Sequence, residues 1–304
     1  MMELQPAETP PLADNVDQAS PAEVAELLRF APGDDFSAID TAATPGFSGE
    51  KQDGRAAQQV DTELLSDLQE RLYANANVGG LRKSVLLVLQ GRDTAGKGGV
   101  VKHVVGALSP HGVQVSAFGV PNAEEASRPF LWRINRALPR WGNIGVFDRS
   151  HYEDILAVRM HELEPPSVWL DRYEDINSFE DTQVDSGIHI VKCMLTVSPE
   201  EQAKRLENRL RRVDKHWKFN PTDIDDRARW ADYTQAYQDV LDRTSTDLVP
   251  WYVIPADRKW YSRWAIVRLL IHQLQQLNLD WPLGHFDPDA ELKRLEETNR
   301  QFED

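Results

Sequence analysis

Apolar residues fall along the chain in short continuous runs, set between longer stretches where they recur every three to four positions. Val85–Leu89, Gln114–Phe118, Ile144–Phe147, His189–Val197 and Trp251–Ile254 read as strands. Helical periodicity lies near Gly98–Leu108, Glu124–Leu138, Tyr152–Met160, Val168–Asp185, Pro199–Arg212 and Ile224–Leu241, and Tyr261–Leu277 closes the pattern. Unbroken apolar strands separated by amphipathic helices predict an α/β fold, a mostly parallel sheet covered on both faces that holds ligands outside the carboxyl ends of its strands. Ahead of the sheet, Ala22–Phe30 predicts a short helix and Ala31–Arg55 an acidic arm punctuated by Gly and Pro. Asp61–Ala76 predicts a helix with Asp61 as N-cap and Leu64, Leu65, Leu68 and Leu72 on one face. The first 20 residues predict disorder, and Asp287–Asp304 a solvated acidic helix or tail.

Gly91–Gly99 reads GRDTAGKGG, directly after the first strand and at the start of the next helix. This is the Gly-x-x-x-x-Gly-Lys phosphate cradle in strand, turn and helix context. Gly91, Thr94, Ala95, Gly96, Gly98 and Gly99 supply a curled backbone with inward N–H groups, and Lys97 reaches the outer phosphates. Gly98 stands where a Ser or Thr hydroxyl ordinarily holds Mg²⁺, so another group must hold the metal. The string GVFDRSHYEDILAVRM, Gly145–Met160, delivers Asp148 at a strand end, as a Walker B carboxylate is delivered, with Arg149 directly after it. A guanidinium beside a metal-binding carboxylate suits an incoming phosphate, which takes its bidentate fork; an internal Asp–Arg ion pair is the plainer alternative. Asp93, inside the cradle, repels phosphate unless a cation bridges the two. Asp93 and Asp148 are therefore expected to share Mg²⁺, with Mn²⁺ as a substitute, against the plainer alternative in which Asp93 caps a turn.

Charge changes the picture by its placement. The net charge of −15 taken alone argues against a phosphate-rich ligand. Residues 1–60, however, carry 11 acids against 3 bases, and residues 287–304 carry 7 against 3, which leaves the centre near neutrality. Within that centre Lys204–Lys218 holds Lys204, Arg205, Arg209, Arg211, Arg212, Lys215 and Lys218 against only Glu207 and Asp214. Local field decides the sign of a ligand. Arg205, Arg209 and Arg212 are spaced four and three apart and share a helical face, and Trp217 and Phe219 lie among the cations that follow. The segment is expected to form a phosphate-binding lid over about 204–225 rather than only a solvated face. Cys193, the single cysteine, excludes an internal disulfide and fits a reducing cytoplasm. No basic leader precedes an apolar run, and no run approaches the roughly 20 residues of a membrane span, so a soluble chain without a membrane or nucleic-acid partner is expected. His161-Glu162 lacks a second His at zinc spacing, and no Gly-x-Ser-x-Gly elbow occurs.

Phosphoryl transfer between two phosphate chains needs no side-chain base, because the attacking oxygen is already an anion. It needs positioning and neutralisation, and this sequence supplies parts for both and no obvious base. The strings LQGRDTAGKGG, PFLWRINRALPRWGNIGVFDRSHYEDILAVR, RLENRLRRVDKHWKF and DLVPWYVIPADRKWYSRW resemble the polyphosphate kinase 2 family, most closely its class III branch, from about Pro32 to about Leu279. The resemblance implies a three-layer α/β/α P-loop kinase fold with a helical lid, and Mg²⁺-dependent transfer of a terminal phosphoryl group between inorganic polyphosphate and a nucleotide, ADP or GDP, with AMP left open. It further implies that Asp93 and Asp148 bind metal, that Lys97 and Arg149 hold the transferring group, that Arg209, Lys215 and Lys218 belong to the lid, and that the protein is a homodimer or homotetramer. The expected division is a disordered tail (1–20), an acidic arm (21–60), a P-loop kinase domain (61–280) and an acidic tail (281–304). Class III members usually carry Asn at position 148 and Asp at position 98; Asp148 and Gly98 look more like the ADP-phosphorylating class I members. His216 replaces the usual lid Arg, and its ordinary pKa of ~6.5 would make polyphosphate affinity fall between about pH 6 and 8. Two other readings stand beside this one: an ATP-dependent nucleoside monophosphate kinase, which normally keeps the hydroxyl missing at position 98, and a non-catalytic phosphate sensor. Phe130, Trp132 and Trp141 are candidates to stack on a base, with core packing as the plainer role.

Overall fold

The structure, a computed structural model, describes residues 16–302, so most of the tail expected to be disordered lies outside the described residues. Helices α1 (Pro21–Leu28) and α2 (Lys51–Val78) precede the sheet. Strand β1 (Ser84–Gly91) leads to α3 (Lys97–His103), β2 (Val113–Ala117) to α4 (Ala123–Ala126) and α5 (Leu131–Arg136), and β3 (Ile144–Asp148) to α6 (Glu153–Met160), α7 (Pro166–Trp169) and α8 (Arg172–Ser186). Strand β4 (Ile188–Thr196) is followed by α9 (Pro199–Arg211), α10 (Thr222–Ala228) and α11 (Trp230–Thr244), and β5 (Trp251–Pro255) by α12 (Lys259–Gln275) and α13 (Pro288–Asn299). Every apolar run became a strand. Every strand pairing is parallel, in the order β2-β3-β1-β4-β5.

Strand β1 lies at the centre and is buried along its whole length. Its alternate residues feed two cores, as the pleat requires. Val85, Leu87 and Leu89 join residues of α2, α3 and α12, whereas Leu86 and Val88 join residues of α6, α8 and α11. The result is three layers, α/β/α. From β1 the chain first builds one side of the sheet and later the other, so strand order reverses beside β1 and a crevice opens at its carboxyl end. Register brings Asp148, the last residue of β3, opposite Leu89.

The structure differs from the sequence expectation ahead of the sheet. Helix α2 begins at Lys51, ten residues before Asp61, with Glu50 and Asp53 exchanging capping bonds. Asp61 is buried in mid-helix and pairs with Arg268 at 2.8 Å instead of capping anything. Gly54 accounts for the mismatch: a Cβ there would collide with the Trp260 ring, so this glycine serves the close approach of α2 to α12 rather than a turn. Nor is the acidic arm peripheral. Val24, Leu28 and Phe47 belong to the core with α12, and the Phe30 amide donates to the Trp251 carbonyl at 2.8 Å, covering the outer edge of β5. Three long helical periods each became two helices, the first split near Pro129. Helix α13 is exposed throughout. Among the described residues no helix is long and apolar enough to cross a membrane.

Candidate active site

The loop from β1 to α3 curls because Gly91 and Gly96 adopt φ of +138° and +128°, with Thr94 left-handed at +66°. Among the described residues the amides of Asp93, Thr94, Gly96, Lys97 and Gly98 have no hydrogen-bond acceptor, so five N–H groups face the crevice at the start of α3. Lys97 folds back over this nest and its Nζ donates to the carbonyls of Gly91 (2.5 Å) and Arg92 (3.3 Å). Asp148 delivers its carboxylate to the missing hydroxyl, Oδ2 lying 4.0 Å from where a Cβ on Gly98 would stand.

Arg149 turns away from Asp148 through a left-handed backbone (φ +64°) and bonds Asp93 Oδ1 at 2.8 Å. The ion pair weighed at the strand end thus forms with the carboxylate of the P-loop. Burial pushes the Asp93 carboxyl up, but Lys97 and Arg149 outweigh it and hold the group below the usual carboxylate range. Against its own burial, Arg149 is raised by Asp93 and Glu153, so the guanidinium stays charged. Glu153, at the start of α6, is pushed up by burial and by Asp93 against the pull of Arg149 and Lys97. No motif marked it. A divalent cation fits these groups: Asp148 beside Gly98 and an ionised Asp93 supply two hard oxygen donors, and no cluster of three or more metal-ligating side chains occurs among the described residues, so phosphate and water would complete the shell.

Beside the P-loop lies a cavity of about 560 Å³, walled by Arg92 and Asp93, by Phe118 and Phe130, by α6, and by Thr222 and Asp223 of α10. Five arginines line it that the sequence expectations left out: Arg92, Arg128, Arg133, Arg172 and Arg227. Arg133 pairs with Asp154 at 3.0 Å, Arg172 stacks 5.1 Å over Phe130 and pairs with Glu164, and Arg128 has no acidic partner at ion-pair distance among the described residues. Arg133 falls inside one of the strings that carry the resemblance, whereas Arg128 stands one residue ahead of it and no signal marks it. Trp132 meets Arg128 and Arg136 rather than the cavity wall, and Trp141 is likewise absent from the lining.

The basic segment does form helix, turn and helix, yet its cations disperse. Arg209 pairs with Asp223 at 3.3 Å, Arg212 with Asp214 at 2.7 Å, Lys215 lies 3.9 Å from Asp214, and Lys218 sits 4.7 Å over Trp217. None of the four lines the cavity. His216 turns its Nε2 to the Leu210 carbonyl, 2.8 Å away. Arg205 departs furthest from the lid expectation: it lies buried beneath the P-loop, bonded to the carbonyls of Thr94 and Ala95. On the opposite side of α3 stands a second group of cations. Arg263 Nη2 is 3.5 Å from the Cβ position of Gly99, and Arg55, Lys102 and Lys259 lie near it, none with an acidic partner at ion-pair distance among the described residues. Burial and then neighbouring cations hold Lys259 and Arg263 below their usual pKa.

An anion nest at the end of a central parallel strand, with a strand-end carboxylate beside it, defines a P-loop phosphotransferase. The polyphosphate kinase 2 family model matches residues 49–281, and the chain belongs to that family. It is 41% identical over 84% of its length to an AMP/ADP-polyphosphate phosphotransferase of Meiothermus ruber, covering 91% of that protein. With an ADP-polyphosphate phosphotransferase of Rhodopseudomonas palustris it shares 39% identity over 74% of its length and 80% of the relative's. A crystal structure of polyphosphate kinase 2 from Arthrobacter aurescens TC1 matches with a TM-score of 0.87 at 46% identity, across 92% of this chain and 98% of that one.

Proposed function

We propose that the chain transfers the terminal phosphoryl group of inorganic polyphosphate to a nucleoside diphosphate, ADP or GDP, with AMP as a further candidate acceptor and Mg²⁺ as its divalent ion. The observation that carries this reading is the pairing of two cationic surfaces on either side of one nest. The 560 Å³ cavity, with Arg128, Arg133 and Arg172 and the aromatic wall of Phe118 and Phe130, suits a nucleotide. Arg55, Lys102, Lys259 and Arg263, which have no acidic partner at ion-pair distance among the described residues, suit a long anion without a base. In the transfer, an oxygen of the nucleotide's last phosphate attacks the terminal phosphorus held at the nest. The bond to the next bridging oxygen breaks, and the shortened polyphosphate leaves as an anion without any proton transfer. Lys97 moves from the loop carbonyls onto the phosphates, Arg149 divides its fork between Asp93 and the transferring group, and the free amides take the oxygens. Asp93 and Asp148 would hold a divalent ion, which when bound would neutralise part of the phosphate charge. Arg209, Arg212, Lys215 and Lys218 come into play only when the lid moves over the cavity. A homodimer or homotetramer in a reducing cytoplasm remains the assembly and place this reading expects.

Purified protein given ADP, long-chain polyphosphate and Mg²⁺, without ATP, should yield ATP, and Lys97→Ala should lower kcat by roughly 100-fold or more. Formation of ADP from ATP and AMP, with polyphosphate untouched, would favour the monophosphate kinase. Tight polyphosphate binding that never turns over would favour the sensor.

A further inference from the structure

A phosphate nest works only when its amides point inward, which sends its carbonyls outward, and outward carbonyls shut off from water need donors. Here every carbonyl from Gly91 to Gly96 has one. Lys97 takes those of Gly91 and Arg92, and the amides of Gly99 and Val100 take that of Gly96. The three between them are held from α9: Gln202 Nε2 donates to the Asp93 carbonyl at 3.2 Å, and Arg205 Nη1 to those of Thr94 and Ala95 at 2.9 Å each.

Arg205 spends its whole guanidinium in this way. Nε donates to Glu201 at 2.7 Å and Nη2 to the carbonyls of Ala256 (2.6 Å) and Asp257 (2.9 Å), so five N–H groups meet five acceptors and none remains for phosphate. The side chain is only 6% exposed. Above it, Thr94 is a β-branched residue in the left-handed region, which such residues seldom occupy, and its Oγ1 has no partner among the described residues. Nothing in the Thr94 side chain holds that turn.

We propose that Arg205, assisted by Gln202, is a positioning residue for phosphoryl transfer: it clamps the outward carbonyls of the P-loop so that Thr94 keeps its turn and the amides of residues 93–98 stay free for phosphate. Lysine cannot replace it, since three donors on a flexible stem cannot span five fixed acceptors. Arg209 lies one turn further along α9, so loop and lid are fastened to a single helix. The proposal deepens the polyphosphate reading and rests on it for turnover, although not for binding.

The test measures kcat, the KM values for polyphosphate and ADP, calorimetric binding of inorganic tripolyphosphate without nucleotide, and melting temperature, for wild type, Arg205→Ala, Arg205→Lys and Gln202→Met. Both Arg205 variants should lose about 100-fold in kcat and bind tripolyphosphate more weakly, with the KM for ADP little changed. Millimolar guanidinium should restore Arg205→Ala by at least about tenfold, while methylammonium at equal ionic strength should not. Wild-type kcat and tripolyphosphate affinity in Arg205→Ala, or a loss that guanidinium leaves untouched, would overturn the proposal. Should Arg205→Ala fail to fold, Gln202→Met decides: reduced kcat with an unshifted melting temperature supports the clamp, and unchanged kcat refutes it. Were wild type to show no turnover with polyphosphate, the functional reading would fail while tripolyphosphate binding still judged the clamp.

Discussion

Single carboxylates in this site differ sharply because their surroundings do. Asp93 stays ionised although burial opposes it, since Lys97 and Arg149 face it. Asp223, on the lid side, is pushed up to about 6 by burial and by the charge of Asp93, which outweigh the pull of Arg209, 3.3 Å away, and of Arg149. Its folded pKa lies above the ordinary 3.8, so the folded protein holds that proton more tightly than the unfolded chain. The resulting stability is present below about pH 4 and is lost as pH rises through about 6. Asp223→Asn imitates the protonated form, so its melting temperature should exceed that of wild type at pH 7.5 and the gap should close toward pH 4; parallel curves across that range would refute the assignment. The same comparison of neighbours explains what the sequence concealed at this scale. The Gly91–Gly99 loop was legible because its glycines, its lysine and the strand before it are contiguous. Arg128, Arg133 and Arg172 were not, because an isolated arginine on or beside a helix acquires meaning only from what it faces.

Periodicity reports which residues share a face of an element but not what that face meets. Arg205 and Arg209 lie one turn apart on α9, yet one clamps the P-loop from below while the other pairs with Asp223. Helix α2 teaches the same lesson through Gly54, where the sequence reads a break and the structure reads close packing against Trp260. Two principles therefore predict opposite signs for Gly54→Ala. Helix propensity alone favours alanine by about 1 kcal/mol, whereas forcing a methyl into the Trp260 ring costs about 1–3 kcal/mol. Packing should win, because the ring belongs to the core and has little freedom to retreat. Urea denaturation checks this, and a variant as stable as wild type would show that α12 yields more readily than its burial suggests.

Across the whole molecule, charge is segregated: acids gather at the two ends of the chain, and cations flank the nest on both sides. If polyphosphate follows the Arg263 side, Lys259→Gln with Arg263→Gln should raise the KM for long-chain polyphosphate several-fold, leave that for ADP unchanged and flatten the dependence on salt, all readable from steady-state kinetics at two ionic strengths. An equal rise for both substrates would place the chain elsewhere. The five strands, the parallel α/β class and the phosphate cradle are written in the order of residues alone, because each follows from a few adjacent residues whose backbone preferences and apolar spacing act locally. Packing in three dimensions was needed to bring Asp93 to Arg149, to set Asp148 beside Gly98, and to put Arg205 under the loop instead of over the substrate. Those outcomes depend on which strand ends are paired and which helices cross them, and residues 56 or 111 positions apart cannot sense one another until the sheet has formed.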